Sequence, residues 1–206
     1  MNGTNETAKR GFFGAVFDPQ SYINIVYLLL ALPLGIAYFT FLVTGLSLGF
    51  GLIITLVGIP ILLLVLGGSS LLVKFERWAA QEVLKQPIVQ PSAQPVDGGW
   101  WARLKAHLSN RITWTGLLYL LLKFPFGIAT FTIVVTLISV TIGFVTAPAY
   151  TWASDSLTWG SWEFDPFPWS WILTIIGIPM IFISLHLING IAYLSGKMAQ
   201  VMLGKV

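Results

Sequence analysis

The chain has 206 residues, 56% of them hydrophobic and 9% charged, against about a quarter charged in an ordinary soluble domain. A water-soluble body of this size still needs a polar skin, so the excess apolar surface faces lipid. The dispersed net charge of +3 gives no footprint for nucleic acid, and with no cysteine there are no disulfides, no thiol catalysis and no thiolate metal sites.

Lys9 and Arg10 precede an aromatic cluster, Phe12, Phe13, Val16 and Phe17, at helical spacing. Such a stretch suits a helix lying in the headgroup layer. Between Asp18 and Lys74 stand 55 residues without a formal charge. Roughly 20 apolar residues cross a bilayer as a helix. This run therefore holds two spans, expected at about 22–44 and 47–72, joined by a short Gly-rich turn within 44–51. Residues 72–85 read as a helical continuation of the second span into the cytoplasm. Pro87, Pro91 and Pro95 with Gly98-Gly99 make 86–99 an extended linker, a spacer with partner docking as the alternative. Trp101, Leu104 and Leu108, with Arg103, Lys105 and His107 on other faces, predict a second surface helix.

Only Lys123 carries a charge between Arg111 and Asp155, and nothing does between Asp165 and Lys197. Each run holds one span, at about 114–137 and 169–193, with a loop at 146–168. Runs such as Ile61-Leu62-Leu63-Leu64-Val65-Leu66 lack the alternation of a membrane barrel. The expected fold is all-α, with four transmembrane helices and interfacial amphipathic helices.

Residues 27–51 align without gaps to 119–143, with 14 of 25 positions identical. After an insertion the similarity resumes, Ile54 to Pro60 pairing with Leu173 to Pro179. The chain is thus one membrane domain of two tandem hairpins, about 12–85 and 100–206. Two spans per copy predict that both enter the membrane in the same direction, as parallel repeats about an axis along the membrane normal. The pairs Pro33/Pro125 and Pro60/Pro179 predict matched helix kinks.

Lysine and arginine mark the cytoplasmic side of short loops. Ten of the eleven basic residues flank the N-terminus, the 74–111 segment or the C-terminus, whereas the 146–168 loop holds Asp155, Glu163 and Asp165 and no base. The expected site is the plasma membrane, with both termini cytoplasmic and the acidic loop outside.

No nucleotide loop, metal cluster or nucleophile arrangement stands out, and neither catalysis nor a cofactor is expected. Lys123 lies inside the third span, about four residues past the expected membrane interface. Its stem is expected to reach back to the cytoplasmic surface, with a ligand or ion role as the alternative. His186 and Asn189, three apart on one helix face, suit hydrogen bonds to neighbouring helices or a polar binding spot. Trp159 and Trp162, among Glu163 and Asp165, suit an interfacial aromatic belt, or a platform for a cationic or lipid-soluble ligand.

Asp18-Pro19-Gln20-Ser21-Tyr22 running into Tyr27-Leu28-Leu29-Leu30, then Pro33-Leu34-Gly35 and Thr55-Leu56-Val57-Gly58-Ile59-Pro60, resembles the putative sensor domain family of bacterial and archaeal membrane proteins. The resemblance covers most of the chain. It implies a four-helix unit that often precedes a histidine kinase or another output domain, and it transfers no functional residues. Here about ten residues follow the last span, so a signal is expected to pass to a separate partner protein or through a homo-oligomer. The rival expectations are a small transporter or channel and a structural subunit of a membrane complex.

Overall fold

The computed structural model describes residues 12–88, 109, 111–151, 157–159, 162–164 and 166–204. Among them, four helices are long and apolar enough to cross a membrane: α1 (Pro19–Gly51), α2 (Gly58–Glu82), α3 (Arg111–Val145) and α5 (Pro166–Leu203). Helices suit lipid because they satisfy their backbone groups internally. Between α3 and α5 stand a single turn, α4 (Ala147–Thr151), and an antiparallel hairpin of β1 (Leu157–Trp159) and β2 (Trp162–Phe164). The expected surface helix before α1 is a 3-10 turn, Phe12–Phe17. Its counterpart at 101–108 and most of the 86–99 linker lie outside the described residues.

α1 does not stop at Thr44. It continues through the Gly-rich stretch, and the turn follows at residues 52–57. Gly45 and Gly49 instead admit the side chains of Val65 and Leu62, which brings α1 and α2 close. Leu56, at φ 61°, closes the turn by donating its N–H to the Ile53 carbonyl. The prolines are likewise less symmetric than the repeat suggests. Pro33, Pro125 and Pro179 lie inside helices, but Pro60 is the third residue of α2. In the first turn the missing N–H has no helical partner to lose.

By its contacts the chain forms two compact units: Met1–Ile25 with Thr132–Gly190, and Val26–Phe131 with Ile191–Val206. Neither coincides with one repeat. In the larger unit Tyr38, Leu42, Val65, Val73, Leu117 and Leu120 build a core that also takes in Ala199 and Leu203.

Helix direction follows from the pairing within that unit. Gly45 meets Val65 and Gly49 meets Leu62, so α1 and α2 are antiparallel. Val73 meets Gly116 and Glu76 meets Tyr119, so α2 and α3 run the same way. α3 therefore runs against α1. The two copies meet head to tail here, rather than in the shared direction expected of parallel repeats. The crossing is reciprocal: a methyl group on Gly35 would stand 2.8 Å from the Lys123 carbonyl oxygen, and one on Gly127 would stand 2.6 Å from that of Ala31. Gly35 and Gly127 are matching repeat positions, as are Ala31 and Lys123. Sequence identity between copies carries no information about which way they pack.

In the smaller unit α3 and α5 are antiparallel. Thr141 and Ser184 share a hydrogen bond of 2.9 Å, and Gly177 packs on Phe144 and Val145.

Candidate functional site

The buried stripe of α2 is Val65, Ser69, Val73, Glu76 and Ala80, successive residues three or four apart. A carboxylate thus sits in an otherwise apolar or small face. Facing it on α3 is Lys123, and both side chains are fully buried. Lys123 Nζ lies 2.8 Å from Glu76 Oε2 and donates a second hydrogen bond, also 2.8 Å, to Tyr27 OH. Tyr119 OH donates to Glu76 Oε2 at 2.9 Å, and Tyr38 OH donates to Oε1 at 3.0 Å. The ammonium also stands 4.7 Å from the centroid of the Tyr27 ring and 5.8 Å from that of Tyr119, within cation–π range.

Lys123 does not reach back to the surface as expected. An ammonium beside a carboxylate and a tyrosine hydroxyl is satisfied where it stands, whereas snorkelling is the resort of an unpaired charge. Desolvating two ions is costly, and such a pair is held when hydrogen bonds occupy the remaining lone pairs and protons. Tyr27 and Tyr119 are matching positions in the two copies, so one residue type at one repeat position serves both ions. Glu76 is not among the residues the sequence singles out. The signal for it was there: a single acid in the small-residue stripe of α2, and a lysine in a neutral span that called for an anion.

Next to Glu76 in sequence, Arg77 turns elsewhere. Its Nε donates to the Leu203 carbonyl at 2.9 Å, at the end of α5. Gln200 Nε2 donates to the Pro87 carbonyl at 3.0 Å, and Gln81 Nε2 donates to that of Ile88 at 2.6 Å. The segment leaving α2 is thereby clasped to the last turns of α5.

The other expected residues are placed elsewhere. His186 and Asn189 belong to the smaller unit. The His186 ring is exposed and bonds through Nδ1 to the Phe182 carbonyl of its own helix at 2.9 Å. Asn189 Nδ2 donates to Ser21 Oγ, and Asn24 Nδ2 donates to Asn189 Oδ1, both at 2.9 Å. His186 and Asn189 both line one polar cavity with Asp18, Ser21 and Asn24. In the hairpin Trp159 pairs with Trp162 and Thr158 with Glu163. Asp165 lies outside the described residues.

A family model described as "Putative sensor" matches residues 27–203, nearly the whole of the helical chain. The chain belongs to that family. Comparison with curated proteins and with solved structures gives no match.

Proposed function

We propose that the chain is a non-enzymatic receiving module of a cell membrane, which repacks around Glu76 and Lys123 on receipt of a signal and passes the change to a separate partner protein. The carrying observation is the sealed ion pair. Both Glu76 oxygens are occupied by Tyr38, Tyr119 and Lys123, which favours holding helices over proton transfer to a substrate. A buried network in which both carboxylate oxygens are occupied has few half-formed states, so helices joined by one suit switching between discrete packings. Arg77 offers a route outward, since the residue beside Glu76 grips the end of α5. Membership of a sensor family supports the same reading, and the distribution of basic residues supports a plasma membrane location with cytoplasmic termini.

The test is recovery of the tagged protein from native membranes in lipid nanodiscs, as wild type and as the apolar replacement Glu76→Leu with Lys123→Met. A stoichiometric protein should accompany the wild type and be lost at least severalfold with the folded double variant. A chain that purifies alone, or a partner indifferent to the pair, overturns the proposal. Solute flux into proteoliposomes, abolished by the same double variant, would establish the transport reading, which ionisable groups inside membrane spans also suit.

A further inference from the structure

The polar cavity of the smaller unit has a volume of about 260 Å³ and lies where α1 begins. Gly14 and Ala15 of the preceding 3-10 turn line one part of it, and the start of α1 and the middle of α5 line the rest. It is separate from the ion pair in residues and in unit. Its chemistry is specific. Among the described lining residues Asp18 carries the formal negative charge and none is lysine or arginine. Asp18 Oδ1 accepts the N–H of Gln20 at 3.1 Å, an N-cap, and among the described residues no cation pairs with the carboxylate. A half-buried anion without a counter-ion favours a cation.

Other lining side chains donate. Asn24 and Asn189 are linked in a directed chain that ends on Ser21 Oγ. Each NH2 group carries two hydrogens, and this chain uses one. The described lining includes no phenylalanine, tyrosine or tryptophan, so the described residues offer no aromatic cage of the kind that holds quaternary ammonium. A primary ammonium, which can hydrogen-bond to a carboxylate, fits better. The cavity lies beside the first turns of α1, one of the helices long and apolar enough to cross a membrane.

We propose that this cavity binds a primary ammonium joined to an oxygen-rich group, the phosphoethanolamine pattern, with Asp18 as counter-ion and the Asn24–Asn189 wall facing the oxygens. The group can arrive as a lipid headgroup or as a free soluble amine, and the chemistry of recognition is shared. This inference stands apart from the sensor reading, because binding is read with no partner present.

The experiment reconstitutes the full chain in nanodiscs of phosphatidylglycerol containing equal small fractions of phosphatidylethanolamine and phosphatidylcholine, then counts retained lipids by native mass spectrometry. A second arm titrates soluble phosphoethanolamine into phosphatidylglycerol-only discs by calorimetry. Wild type should retain phosphatidylethanolamine at least about tenfold over phosphatidylcholine if lipid is the source, a ratio in keeping with one charge-assisted hydrogen bond. Heat in the second arm without lipid preference in the first identifies the free amine. Asp18→Asn keeps a good N-cap residue and should cost about tenfold in whichever arm is positive. Asn189→Leu should weaken the same arm. Equal retention of both lipids with no heat, or binding unchanged in Asp18→Asn, overturns the proposal.

Discussion

The two polar clusters of this molecule are built from the same problem, polar groups among apolar helices, and solve it in opposite ways. Around Glu76 and Lys123 both charges are closed off, and three tyrosine hydroxyls fill in around them. Around Asp18 and Asn189 a carboxylate lacks a described counter-ion and a cavity stays open beside it. A saturated cluster holds helices; an open one can receive a molecule. On the proposals above, that difference, more than the residue types involved, would separate an element that transmits from one that binds.

The sharpest way to break the comparison is to remove one ion from the closed cluster. Lys123→Met strands the Glu76 carboxylate and should cost about 3–5 kcal/mol, the usual result of breaking a buried pair. Adding Glu76→Leu should recover most of the loss, because an apolar pair of similar volume is often neutral or better. Thermal unfolding in one detergent measures both. Single and double variants that unfold together would show that the pair is not a closed unit.

The crossing of α1 and α3 comes next. Gly35→Ala and Gly127→Ala each push a methyl group onto backbone, which cannot swing aside, and should cost about 1–3 kcal/mol each. Gly67→Ala in α2 meets nothing within 4 Å and should instead be neutral, or stabilising by up to about 1 kcal/mol through helix propensity. Equal effects at all three glycines would contradict the close reciprocal crossing. Of similar size is Tyr38→Phe, which removes the hydrogen bond to Glu76 Oε1 and should cost about 1.5–3 kcal/mol.

The uneven legibility of the sequence follows the same physics. Neutral runs longer than a bilayer is thick announced the four helices, because that signal is additive over many residues. The first turn falls beyond the Gly-rich stretch because glycine serves both turns and close helix contacts, and Gly45 and Gly49 do the second. Lys123 drew notice as a charge out of place, but its true partner is 47 residues away on another helix. Likewise Ser21 and Asn24 join Asn189 across 168 and 165 residues. Spacing along one helix shows that a polar face exists; only packing shows what it meets.

The loop with the tryptophans carries the smallest expected effect on stability and the clearest topological question. Trp162→Ala with Glu163→Ala should leave the thermal transition unchanged, while abolishing any response to ligand if the hairpin is the receiving surface instead of the cavity beside Asp18. Its side of the membrane is where charge and packing disagree. The basic residues at 74–111, if they stay in the cytoplasm, would place the 146–168 segment outside. Antiparallel α1 and α3 within a single bilayer would place it on the side of the N-terminus. A cysteine introduced at Ser156, in a chain with no other cysteine, should react with a membrane-impermeant maleimide in intact cells if charge governs insertion. Protection until the cells are opened would give the decision to the head-to-tail crossing at Gly35 and Gly127, and it would move the tryptophan hairpin to the cytoplasmic face.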